Sequence, residues 1–256
     1  MDWLVKTQGV GFVDAVHTLT GGASVVYKET LQKATSQPKP PKPFKLPATN
    51  VNNDRVYAYL RGRGISKEAI NRCINAGILY ESAKTNRCVF VGKDGETPKF
   101  ACERGTTDDW KKDISGSNKQ FSFCLPPENP NSQTVIVTES PIDTLAHFDI
   151  HKIGQTGMDG YRLSLGGIGS AALMGFLGRH GEIQNIFLAL DSDKAGKDAA
   201  NRIIKELLSD TRFSHIKIAV TPPPRGCKDY ADALQAVHKL NIEKNRPDRQ
   251  KAVVSV

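Results

Sequence analysis

The sequence has no CxxC pair. Its five cysteines, Cys73, Cys88, Cys102, Cys124 and Cys227, lie far apart in 256 residues. That spacing argues against a zinc ribbon, and no zinc is expected in this chain. An odd, scattered count also argues against a disulfide framework, so a reducing, cytoplasmic setting is expected. No apolar run approaches the roughly 20 residues that a membrane-spanning helix needs, so no membrane partner is expected. The start, MDWLVKTQGVGF, lacks a basic segment followed by an apolar one and does not read as a secretory signal. No internal repeat occurs. No GxxxxGK[ST] loop occurs either, so duplex unwinding would need a partner.

What the chain does have is positive charge. The net charge is +8. Residues 1–128 hold 19 Lys and Arg against 13 Asp and Glu (+6), and residues 129–256 hold 16 against 14 (+2). A basic surplus concentrated in the first half suits a polyanion, most simply nucleic acid. The plainer alternative is a solvated basic surface.

The pattern divides the chain into segments. Residues 1–32 hold one amphipathic helix, with Phe12, Ala15, Val16 and Leu19 at helical spacing. Residues 33–50 contain QPKPPKPFKLP, whose prolines favour extended backbone and whose lysines repel one another; they read as a semi-rigid linker. Residues 51–128 form a basic α+β subdomain. It has helices near 55–61 and 67–76, the second capped by Ser66, and strands CVFV and KFAC around an Asp94-Gly95 turn. From 129 to 240, strands and helices alternate. VIVTE, HKIGQTG, NIFLALD and HIKIAV read as strands, and SPIDTLAHF, SAALMGFLGRH, KAGKDAANRIIKELLSD and DYADALQAVHKLNIEK as helices. Residues 241–256 read as a polar tail. Apolar strands alternating with helices predict an α/β fold with a parallel sheet flanked by helices.

Ligands of such sheets gather beyond the carboxyl ends of the strands. Glu139 ends VIVTE, and Asp191 ends NIFLALD with Asp193 two residues on. Residues i and i+2 of an extended segment share a side, so Asp191 and Asp193 can converge. Hard oxygens of this kind suit Mg²⁺ or Mn²⁺, which keep waters and take phosphate oxygens from a substrate. Each acid has a plainer reading. Asp193 can cap the helix after it, and Ser140-Pro141-Ile142-Asp143 reads as a helix start with a capping box.

VIVTESPIDTLAHF followed by FLALDSDKAGKDAANRI resembles the Toprim domain of bacterial DnaG-type primases, topoisomerases and some nucleases. The resemblance covers roughly residues 134–236. It places the glutamate motif on Glu139 and the DxD motif on Asp191 and Asp193, as catalytic and metal-binding residues. SLGGIGSAAL resembles the glycine segment after the second strand of that domain. RGCKDYADAL resembles the primase Lys-Asp motif, which implies that Asp229 joins the metal site. Lys228, Arg225 and Asp143 would then face the nucleotide phosphates. RCVFVGKDGETPKFACERG resembles the primase hairpin, which implies nucleic-acid contacts at Arg87, Lys99 and Arg104. ISGSNKQFSF resembles a segment of mobile-element primases and adds Lys119, with Asn118 where the pattern has Asp. GVGFVDAVHTL resembles the closing helix of a primase zinc domain, but its metal ligands are absent. Ser140-Pro141 replace the usual Gly-Tyr.

The resemblance implies a primase-like nucleotidyltransferase of a plasmid, phage or transposon. It would make RNA primers on single-stranded DNA from nucleoside triphosphates, with a helicase or relaxase in trans. Arg61, Arg63, Lys67, Arg72, Lys111 and Lys112 could line a groove for the template strand, with Trp110 as either a stacking platform or a packing residue. A Toprim nuclease, or a non-catalytic nucleic-acid-binding module of a mobilisation protein, are the alternatives.

Overall fold

A computed structural model describes residues 43–244. The expected N-terminal helix (1–32), the linker up to residue 42 and the tail beyond residue 244 lie outside the described residues. The described part is mixed α/β: a parallel sheet flanked by helices, preceded by a smaller α+β region.

The smaller region begins with α1 (Asp54–Gly62) and α2 (Lys67–Asn75). Ser66 Oγ caps α2 by accepting the Ala69 N–H at 3.0 Å. Four antiparallel strands follow in spatial order: β1 (Leu79–Glu81), β2 (Cys88–Asp94), β3 (Thr97–Arg104) and β4 (Lys111–Asp113). The tight β2–β3 turn depends on Gly95, whose φ is +55°. One sheet face packs on the helices through Val56, Leu60, Ile70, Phe90 and Phe100. The other face, Val89, Val91 and Ala101, is covered by Phe44 and Leu46 from the Pro/Lys segment. That segment is tied down where the Tyr80 hydroxyl donates to the Pro47 carbonyl at 2.7 Å. The two short strands β1 and β4 were not expected from the sequence, since three residues carry too little pattern to register.

The second sheet has the order β5 (Cys124–Leu125), β7 (Tyr161–Ser164), β6 (Thr134–Thr138), β8 (Asn185–Leu188), β9 (Lys217–Val220). β5 is antiparallel to β7, and the other pairs are parallel. β5 lies inside the 51–128 segment yet pairs with the second sheet. The central strand β6 is buried on both faces, with Val135 and Val137 in one apolar cluster and Ile136 in another. This explains its unbroken apolar run. Helices α3 (Pro141–Ile153) and α6 (Tyr230–Lys244) cover the Ile136 face, and α4 (Ala171–Leu177) and α5 (Lys194–Ser209) the other.

One expectation fails. HKIGQTG is not a strand. α3 continues through Ile153, with His147 and His151 one turn apart and their rings 4.2 Å between centroids. The strand is YRLS, which starts after Gly160, where a Cβ would lie 2.8 Å from the Thr134 carbonyl oxygen. α6 also runs into the segment expected as tail.

The two regions share a core. Phe90 of β2 meets Phe123 edge-on at 5.2 Å. Buried Asp149 of α3 accepts the Ser66 N–H at 2.6 Å and its hydroxyl at 2.5 Å. No described helix is long and apolar enough to cross a membrane. From β6 the chain crosses to β7 on one side and then to β8 on the other, which opens a crevice at the carboxyl ends of β6 and β8.

Candidate active site

Glu139 leaves β6 directly into the α3 cap. Its Oε1 accepts the Asp191 N–H at 3.3 Å, so the two strand ends are joined through the acids themselves. Its own carbonyl accepts the Gly167 N–H at 3.1 Å, which draws in the glycine segment after β7. Gly166 and Gly167 have φ of +64° and +134°, which L residues rarely adopt. Asp191 lies three residues past β8, with a side chain 15% exposed. Asp193 Oδ1 accepts the Gly196 N–H at 2.9 Å and caps α5. The cap and the candidate ligand are thus one residue. Gly196 is required, because a Cβ there would lie 2.2 Å from the Asp191 carbonyl oxygen and 2.8 Å from Glu139 Oε1.

The RGCKD loop is stitched to the DxD loop. The Ser192 N–H and hydroxyl donate to the Lys228 and Cys227 carbonyls, both at 2.8 Å. Lys228 Nζ thereby stands 3.9 Å from Asp191 Oδ2. Asp143 is buried. Its Oδ2 accepts the Ser140 hydroxyl at 2.6 Å and its Oδ1 the Ala231 N–H at 3.2 Å, so both oxygens join the starts of α3 and α6.

These acids form one wall of a cleft of ≈ 510 Å³. The facing wall is Arg104, Lys111, Lys112 and Lys119 from the smaller region. Lys119 Nζ bridges the walls, 3.1 Å from Asp113 and 3.2 Å from the Gly166 carbonyl. Burial and the Glu139, Asp143 and Asp229 carboxylates push the Asp191 carboxyl up to about 7, against the pull of Lys228. Burial, with Asp193 and Asp143, also raises Glu139. Such crowding is negative charge that Lys228 offsets only in part. Hard carboxylate oxygens carrying that charge fit a divalent cation. Among the described residues no three His, Cys, Asp or Glu side chains form a metal-holding group.

The cleft lining therefore unites Glu139, Asp143, Asp191, Asp193, Lys228, Arg104 and Lys119. It also takes in Lys111 and Lys112, but not Asp229, Arg225, Arg61, Arg63, Arg87 or Lys99. Asp229 Oδ1 accepts the Asp232 N–H at 2.8 Å. Arg225 is exposed on its loop. Burial raises the Asp143 carboxyl, and Arg63 lies near enough to oppose that rise in part. Arg61 donates to the Ile65 carbonyl on the α1 side of the molecule. The Lys99 carbonyl accepts the Asn118 N–H at 2.9 Å. Arg87 pairs with Glu103 at 3.6 Å and Asp108 at 3.3 Å. Gly166, Gly167 and Asp113 line the cleft without having been singled out as site residues. For the first two, the signal was the SLGGIG segment itself.

Residues 136–234 match a family model described as Toprim-like, so the chain carries a Toprim-like domain. Residues 58–129 match a family described as a protein of unknown function, DUF3991. No curated protein matches the chain in sequence. Among solved structures, the fold is similar to the primase fragment of the bacteriophage T7 primase-helicase protein: 21% identity over 80% of this chain and 81% of that one, TM-score 0.51. A second similar structure holds the bacteriophage T7 lagging-strand DNA polymerase with primase domains bound to an RNA/DNA hybrid and dTTP: 19% identity over 72% and 87%, TM-score 0.49.

Proposed function

We propose that this chain, through its Toprim-like domain, is a primase-like nucleotidyltransferase that makes RNA primers on single-stranded DNA. The observation that carries this reading is the two-sided cleft, with Glu139, Asp191 and Asp193 on one wall and Arg104, Lys111, Lys112 and Lys119 on the other. A phosphoryl transfer needs both walls: cations to hold phosphates, and acids to receive a proton and hold a metal.

Lys228, beside Asp191, would contact the triphosphate of the incoming nucleotide, with Arg225 on the same loop able to reach the distal phosphates. Glu139 accepts the proton of the attacking 3′ hydroxyl, and its raised pKa suits that role. Asp191 and Asp193, with Asp229, would hold Mg²⁺ or Mn²⁺. When bound, the ion neutralises developing charge on the transferring phosphoryl group. The basic region 51–128 binds the template strand, through Arg104 and Lys119 at the cleft and Lys99, Arg61 and Arg63 beyond it. A cytoplasmic replication system of a mobile element, with helicase or relaxase supplied separately, is the setting that fits this activity.

The test is synthesis of labelled oligoribonucleotides on a single-stranded template. Wild type yields products, and the double variant Asp191→Ala plus Asp193→Ala yields none. Unchanged synthesis by the double variant sinks the assignment.

A further inference from the structure

Trp110 is one of the two tryptophans in the chain. It is 41% exposed, although a side chain this large gains from burial. The loop before β4 is built to hold it there. Asp108 Oδ1 accepts the Trp110 N–H at 3.1 Å, and the Gly105 N–H donates to the Trp110 carbonyl at 2.7 Å. Gly105 admits this closure only as glycine, since a Cβ would lie 1.7 Å from Asp108 Oδ1. Asp108 also pairs with Arg87 at 3.3 Å, and the Arg87 guanidinium lies 4.1 Å from the indole centroid. Arg87 is therefore neutralised by acids and backs the ring. The next two residues, Lys111 and Lys112, line the catalytic cleft, and Lys112 Nζ is 5.8 Å from the same ring.

The geometry points to Trp110 as a stacking platform for an unpaired base of single-stranded DNA at the mouth of the cleft. A rigid, half-exposed indole beside a row of lysines offers a base a flat apolar face and offers its phosphates countercharge. Single-strand binding uses that combination without regard to base identity. Arg87 thereby acts as a positioning residue for the ring, where the family resemblance implied a direct nucleic-acid contact. The inference rests on the nucleic-acid reading of the cleft above.

The experiment measures binding of a twelve-residue oligothymidylate, without nucleotides or divalent ions, in a Trp3→Phe background that leaves Trp110 as the sole indole emitter. Stacking predicts quenching of Trp110 emission at saturation. Trp110→Ala is expected to weaken binding roughly 5- to 100-fold, with Trp110→Phe retaining most of the affinity. An abasic strand of equal length is expected to bind wild type and Trp110→Ala alike. Unchanged emission at saturation, unchanged affinity of Trp110→Ala, or an equal loss with the abasic strand overturns the proposal. Where Trp110→Ala fails to fold, the emission measurement decides alone. Because no catalysis is read, quenching in a protein that makes no primer leaves the platform standing and sinks only the primase reading. Primer synthesis without quenching does the reverse.

Discussion

Replacing Asp191 with Asn should make the protein more stable while destroying the site. In the folded protein the Asp191 carboxyl titrates at about 7, against an ordinary 3.8. The folded state therefore holds the proton more tightly than the unfolded chain. Above pH 7 the group is ionised in both states, and the folded state bears the cost of burying that charge beside Glu139, Asp143 and Asp229. As pH falls through 7 the folded carboxyl is protonated and the penalty shrinks, until below about pH 4 it is gone. The full shift corresponds to roughly 4 kcal/mol at about 1.36 kcal/mol per unit. Partial solvent access screens this, so a gain of about 1–2 kcal/mol is expected at pH 8. For a chain of this size that is roughly 2–8 °C in melting temperature. Thermal unfolding followed by circular dichroism, in chelator at pH 8, 6 and 4, reads it directly. Asp191→Asn should melt above wild type at pH 8, by less at pH 6, and level with it at pH 4. Added Mg²⁺ should raise the wild-type midpoint and leave the variant's unmoved. A variant that melts at or below wild type at pH 8 refutes the claim that the acids crowd one another.

Other substitutions separate structure from chemistry. Asp193→Asn keeps a helix cap, so its stability should stay within about 0.5 kcal/mol of wild type, whereas Asp193→Ala should lose about 1 kcal/mol in denaturant titrations. Both should lose Mg²⁺-induced stabilisation, because an amide is a poorer ligand for a hard cation. Gly196→Ala favours helix by its propensity, yet its methyl would strike the Asp191 carbonyl; a net loss of about 1–3 kcal/mol in the same titrations is expected, with activity abolished. Ser140→Ala removes the hydroxyl that accepts the Asp143 N–H and donates to its carboxylate; about 1 kcal/mol should be lost, and the melting point should fall accordingly.

Much of the parallel sheet was legible because its strands are short apolar runs that end in acids and its helices open with visible caps. Ser66, Ser140 and Asp193 all cap as their positions suggested. The misplaced strand at HKIGQTG shows the limit of this reading. Ile150 and Ile153 extend a helical stripe, and only the closeness of Gly160 to β6 reveals where pairing begins. The acidic wall could be read along the chain because Glu139 and the DxD pair follow recognisable apolar strands and Asp143 sits in a visible helix start. On the basic wall, Arg104, Lys111, Lys112 and Lys119 were all named from the sequence, but that Lys111 and Lys112 face the acids depends on a three-residue strand whose register with β3 is a matter of tertiary pairing. Likewise nothing in RGRG separates Arg61, which donates to the nearby Ile65 carbonyl, from Arg63, which lies near Asp143. The double engagement of Asp143 needs the start of α6, 88 residues away in sequence.

Joining nucleotides, rather than cutting strands, is the reaction proposed for the cleft. One gel tests it: an end-labelled single-stranded template and labelled ribonucleotides of a second isotope, incubated with the full chain and Mg²⁺. The account predicts new ribonucleotide-labelled oligomers, an intact template and no products from Asp191→Asn. A shortened template with no ribonucleotide incorporated would contradict it.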